Sequence, residues 1–245
     1  MKGKVYLVGA GPGGIGLMTV KGLEILRSAK TVVHDALIDI EMLDECKGAE
    51  LIDAGKRGGN HKMTQTEINE LLVKLAEEGR DVVRLKGGDP FLFGRGAEEA
   101  AELRKAGIEV HVIPGVSSSI SVPELAGIPL THRDSASHVT IATGNERSDR
   151  SNDRTDWRKL AATDGTIVIL MGMSNSERIS KELMAGGMKE DTPAAVIVHE
   201  NGGYRTVTTS LSVLPSTIKT EEMKAPGIIV IGDVVQQRSI LGDLF

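Results

Sequence analysis

Two glycine-rich loops hold the residues whose types and spacing could do chemistry. The first, in VYLVGAGPGG, sets Gly9, Gly11 and Gly14 in the spacing G-x-G-x-x-G, after a strand-like run and before a helical one. Asp35 closes the next short apolar run, where a dinucleotide fold keeps the acid that holds a ribose hydroxyl. In such folds the loop amides cradle a pyrophosphate at a helix N-terminus. The loop alone therefore fits an NAD or FAD fingerprint, which would make the chain an oxidoreductase, and equally a tight strand–helix turn or a site for another nucleotide-like ligand. Pro12 weakens the dinucleotide reading, because it removes an N–H where the pyrophosphate would sit. The second loop runs from Lys86 to Gly96 as KGGDPFLFGRG. Its Gly87 and Gly88 let backbone approach a ligand closely, and Asp89 can accept from hydroxyl or ammonium donors. Pro90 fixes the exit from the turn. GGDP by itself reads first as a structural turn capped by Asp89.

Other reactive types are sparse. His34, His61, His111, His132, His138 and His199 show no metal-ligand spacing, and Cys46 is the only cysteine. No metal site and no intramolecular disulfide are expected. Asp35 by itself reads as a cap after TVVH, and Lys56 as a solvated loop lysine.

The elements that must position these residues follow from periodicity. Strands are predicted over 4–9, 31–34 and 49–55, with 81–89 read as strand then loop and 108–115 as strand then turn. Helical patterns fill 17–29, 64–79 and 96–107, the second opened by a capping box of Thr64 and Glu67 and stopped by Gly79. Strands alternating with helices imply a mostly parallel sheet with its functional loops at one edge. After IPGVSSS a fresh series begins, with strands over 138–144, 166–172, 194–202, 205–211 and 227–235. The alternation of RTVTTSL marks an antiparallel strand and so a mixed sheet. The predicted organisation is two α/β domains, residues 1–115 and 116–245. The polar segment 146–156 reads as an exposed loop.

Bulk properties set limits. The chain has 245 residues, 40% hydrophobic and 26% charged, with a net charge of −5. The acidic balance argues against a nucleic-acid partner, while local cations could still hold an anionic small molecule. No apolar run approaches a membrane span, and the first residues show no cleavable apolar region. A cytoplasmic protein is expected.

Several of these pieces, taken together, resemble the tetrapyrrole methylases, and within them the group that methylates uroporphyrinogen III. They are VYLVGAGPG, GKRGGNH, TQTEINELL, VVRLKGGDPFLFGRGAEE, VIPGVSSS, AGIPLTHRD, LMG and APGIIVIGDVV, in order over almost the whole chain. The resemblance implies two α/β domains with S-adenosylmethionine in the cleft between them, usually in a homodimer. It assigns the cofactor to Pro12, Gly87, Gly88, Asp89, Leu92, Ser117, Ser118, Met171, Gly202 and Pro226. It points to Asp35 as proton acceptor and Lys56 as proton donor in the methylation of C2 and C7, giving precorrin-2 for sirohaem or cobalamin-type synthesis. A substrate with eight carboxylates needs a basic pocket, and Arg57, His61, Lys86, Arg95, His132 and Arg133 all fall in the matched loops. The chain departs from the pattern at Gly14–Gly16, His34 and Ala36, and has Ser117-Ser118 where Thr-Ala is common. Methylation of a later corrin precursor, a dinucleotide-dependent oxidoreductase and a non-catalytic binding module are the competing expectations.

Overall fold

The computed structural model describes residues 1–36, 38–55, 63–145, 155–200 and 202–244, arranged as two compact units, Met1–Ser118 and Ser119–Phe245.

In the first unit, β1 (Lys4–Gly9), β2 (Thr31–His34), β3 (Glu50–Asp53), β4 (Val82–Lys86) and β5 (Glu109–Ile113) form one sheet. Its order is β3-β2-β4-β1-β5, and every pair is parallel. The helices between them are α1 (Val20–Ser28), α2 (Ile40–Asp44), α3 (Gln65–Glu77) and α4 (Gly96–Lys105). The chain moves one way along the sheet from β1 to β3 and the other way from β3 to β5. Right-handed crossovers must then put the two sets of helices on opposite faces. The packing agrees. Leu26 and Met42, from α1 and α2, pack with Val8, Val32, Val83 and Leu85. Ile68, Leu72 and Leu103, from α3 and α4, pack with Val5, Leu7, Val33 and Val82. Period two along each strand divides the side chains between these cores.

Local signals set the helix starts. Thr64 accepts from Glu67 N–H at 3.3 Å, and Glu67 accepts from Thr64 N–H at 2.8 Å, closing the expected capping box. Gly79 ends that region at φ +82°. The helix expected over 17–29 begins only at Val20, because Thr19 caps it by accepting from Gly22 N–H at 3.2 Å. Residues 15–17 make a separate 3₁₀ turn.

The second unit opens with α5 (Ser118–Leu125), whose first residue belongs to the first unit. It continues through β6 (Val139–Thr143), α6 (Trp157–Leu160), β7 (Thr166–Leu170), α7 (Ser176–Ala185), β8 (Pro193–Glu200), β9 (Gly203–Ser210), α8 (Leu214–Thr220), β10 (Gly227–Ile231) and α9 (Arg238–Leu241). The sheet order is β6-β7-β10-β8-β9, with only β6 and β7 parallel. The expected antiparallel strand is β9, a hairpin partner of β8. Again alternate residues feed two cores, Ile167, Ile169 and Ile229 on one face, Val168, Ile228 and Val230 on the other.

Candidate active site

In the first unit the parallel sheet brings the C-terminal ends of all five strands to one edge. The register of β1 with β4 places Gly9 beside Lys86, so the two glycine loops leave the sheet as neighbours. They then clasp each other. Gly11 N–H donates to Gly88 O at 3.1 Å, and Gly88 N–H donates to Gly11 O at 2.7 Å. The turn after β5 closes the cluster. A Cβ on Gly9 would meet Gly115 Cα at 2.5 Å, and one on Gly115 would meet Gly88 O at 2.3 Å. Only glycine permits that three-way backbone contact.

This geometry explains the G-x-G-x-x-G match without a pyrophosphate. The Gly11 amide is held by the second loop, Pro12 has none, and Gly14 N–H donates to the Asp39 carboxylate at 2.8 Å. Two of the loop's amides are thus already engaged, and a third position has none. The second loop is set from within. Asp89 Oδ1 accepts from Phe91 N–H at 2.8 Å and Leu92 N–H at 3.1 Å, while Oδ2 accepts from Gly115 N–H at 3.1 Å. The Asp89 carboxylate thus shapes the loop and ties it to the turn after β5. Gly87 has open space around it, and Gly88 sits at φ +66°, with its missing Cβ 3.8 Å from Ser118 N. Buried Ser117 and half-buried Pro12, Leu92 and Ser118 border the same cluster. The first unit therefore brings together every cofactor residue expected from it. What its described residues offer is backbone and small side chains, a donor set that suits S-adenosylmethionine, which carries hydroxyls, an ammonium and a carboxylate.

Asp35 stands at the same edge, just past the end of β2, with its N–H on Leu85 O at 3.3 Å. Among the described residues its carboxylate caps no helix; its Oδ1 forms a short ion pair with the Arg84 guanidinium. Arg84 is fully buried and donates from Nε to Glu99 Oε1 at 3.3 Å. Lys86, expected to hold substrate carboxylates, is 3% exposed, and its ammonium donates to the same Glu99 oxygen at 2.9 Å. Burial holds Lys86 below the ordinary lysine value, the Arg84 charge adds to that, and Glu99 opposes both.

Arg84 and Glu99 were not singled out from the sequence. A signal existed. Val82, Arg84 and Lys86 alternate on one side of an otherwise apolar strand, and Glu99 lies one helical turn before buried Leu103. The other expected cations differ in setting. Arg95 is exposed at φ +59° and pairs with Glu98 at 2.7 Å. Lys56, Arg57 and His61 lie outside the described residues.

In the second unit, Met171 follows β7 at φ +55° and is 49% exposed. Gly202, at φ +77°, turns β8 into β9, and exposed Pro226 precedes β10. The register sets Leu170 and Ile197 on either side of Ile228, which brings Met171, Gly202 and Pro226 to one end of that sheet. His132 lies in a turn paired through its backbone with Ala136, its ring Nδ1 accepting from Asp134 N–H at 3.3 Å. Arg133 beside it is exposed. Among the described residues no three or more His, Cys, Asp or Glu side chains are grouped to hold a metal ion.

Residues 4–214 match the family model described as Tetrapyrrole (Corrin/Porphyrin) Methylases. The chain belongs to that family. This tetrapyrrole methylase is 49% identical over 243 residues to the S-adenosyl-L-methionine-dependent uroporphyrinogen III methyltransferase of Methanosarcina barkeri, covering 98% of this chain and 95% of that protein. It is also 49% identical over 238 residues to the uroporphyrinogen-III C-methyltransferase of Methanocaldococcus jannaschii, covering 96% and 98%. Among solved structures it is similar to uroporphyrin-III C-methyltransferase from Thermus thermophilus complexed with S-adenyl homocysteine. That match has a TM-score of 0.81 and 35% identity, over 96% of this chain and 99% of the other.

Proposed function

We propose that the chain transfers methyl groups from S-adenosylmethionine to C2 and C7 of uroporphyrinogen III, giving precorrin-2 for sirohaem or cobalamin-type synthesis. The observation that carries the reading is the placement of Asp35 at the sheet edge that also holds the interlocked glycine loops. Relatives of matching length that are uroporphyrinogen III methyltransferases support it. The cofactor supplies an electrophilic methyl group on a sulfonium. Alignment of that methyl with the pyrrole carbon accounts for much of the barrier, and the loops of Gly87–Asp89 and Ser117–Ser118 do the aligning. Asp35 takes the one proton that the ring loses for each methyl gained, and Lys56 in GKR donates the proton that a tautomeric shift of the ring needs, recovering it from the position that the shift vacates. Arg57, His61, Arg95, His132 and Arg133 hold substrate carboxylates. Met171, Gly202 and Pro226 contribute to cofactor binding. The enzyme works as a homodimer in the cytoplasm, without a nucleic-acid partner.

The test is anaerobic incubation with uroporphyrinogen III and methyl-labelled S-adenosylmethionine, read by label and mass. Two added methyl groups are expected, with strong loss in Asp35→Asn and in Lys56→Met. Tight S-adenosylmethionine binding without transfer would move the substrate to a later corrin precursor. Binding of NAD in place of S-adenosylmethionine would refute the reading.

A further inference from the structure

Arginine and lysine are almost never fully buried unless paired, yet β4 buries both Arg84 and Lys86, at 2% and 3% exposure. Period two sends both side chains to the face covered by α3 and α4, where Glu99 is fully buried. Glu99 Oε1 receives Arg84 Nε at 3.3 Å, Lys86 Nζ at 2.9 Å and Gln65 Nε2 at 3.1 Å. The remaining guanidinium nitrogens point the other way. Nη1 reaches the carbonyls of Val33 at 3.5 Å and Leu85 at 3.4 Å, and Nη2 holds Asp35 Oδ1. The guanidinium is planar and rigid, so a fork anchored at Nε and Nη1 fixes where Nη2 lies. Asp35 itself is 36% exposed at the sheet edge. Among the described residues, nothing partners its other oxygen.

We propose that Arg84, braced by Glu99, is a positioning residue for methyl transfer: it clamps one oxygen of Asp35 so that the other faces the substrate. The inference rests on the reading of Asp35 as the proton acceptor. Arg84 is too buried to touch substrate, and acts only through the carboxylate. A base held in one orientation keeps its reactive oxygen within transfer distance, and loss of that hold lowers turnover without weakening cofactor binding.

The experiment measures kcat and KM for labelled methyl transfer to uroporphyrinogen III, with S-adenosylmethionine affinity by calorimetry. Arg84→Lys keeps the charge and loses the fork. Glu99→Asp keeps the brace's charge and withdraws it by one methylene, which leaves a second variant should Arg84→Lys fail to fold. In both, kcat falls about 10- to 100-fold, as expected for a misplaced proton-transfer group. The KM for uroporphyrinogen III and the S-adenosylmethionine affinity stay within about 2-fold of the parent. In an Asp35→Asn background, measured over long incubations, neither change lowers the residual rate further, because residues acting as one unit are non-additive. Multiplicative losses in that background, or a full rate in both single variants while Asp35→Asn is inactive, would overturn the positioning role alone. A full rate in Asp35→Asn would overturn the reading of Asp35 and this inference with it.

Discussion

Glu99→Gln gives the sharpest test of the buried charges. Glu99 is fully buried, and one of its oxygens accepts from Arg84, Lys86 and Gln65. Removing its charge leaves two buried cations with Asp35 as their nearest remaining anion. Breaking a buried pair in this way costs about 3–5 kcal/mol, and the amide oxygen of Gln can still accept, so about 3 kcal/mol is expected at neutral pH. With a urea slope of about 1–3 kcal/mol per molar, the unfolding midpoint drops by about 1–3 M. The pH dependence then identifies the cause. Lys86 is already held below the ordinary lysine value by burial and by Arg84, with Glu99 pulling the other way. Without Glu99 it goes lower still. Over the window between that depressed value and the unfolded one, the unfolded chain binds more protons, so stability rises with pH. In the variant that rise begins at a lower pH than in the parent. The stability deficit of Glu99→Gln therefore shrinks as the pH rises towards the unfolded lysine value. A deficit that stays constant or widens over that range, read by urea titration, would refute the account of the network.

Gly9→Ala puts a Cβ 2.5 Å from Gly115 Cα and 2.7 Å from Gly88 O, so backbone must move; a loss of about 1–3 kcal/mol in urea unfolding and weaker S-adenosylmethionine binding by calorimetry are expected. Asp89→Ala releases the N–H groups of Phe91, Leu92 and Gly115 together, and calorimetry should show at least about 10-fold weaker cofactor binding, since each lost charge-assisted bond is worth about 1.5–3 kcal/mol. Thr64→Ala opens the capping box of α3 and should cost about 1 kcal/mol of stability, with kcat for methyl transfer unchanged at a temperature where the protein stays folded.

Much of this protein is decided by short-range pattern. The apolar runs at 4–9, 31–34 and 166–170 are strands because β-branched residues fill them, and the Thr64–Glu67 box starts its helix because both partners lie within one turn. The alternation in RTVTTS marks β9 as antiparallel, and the parallel order of the first sheet follows from strands that must each be returned by a helix. The reactive loops were legible too, since VGAGPGG and KGGDPFLFGRG stand out as residue strings. Their meaning was not. Gly11 pairs with Gly88, and Gly9 with Gly115, across intervals that no local pattern spans, and only the register of β1 against β4 and β5 makes those backbones meet. The same holds for charge. Lys86 reads as a loop-edge cation from the sequence, because a lysine beside a glycine pair is solvated by default. Tertiary structure covers that face of β4 with α4, sets Glu99 there, and converts Arg84 and Lys86 from surface charges into the buried support beneath Asp35. Sequence periodicity names the face a side chain takes; what packs against that face is decided by chain topology.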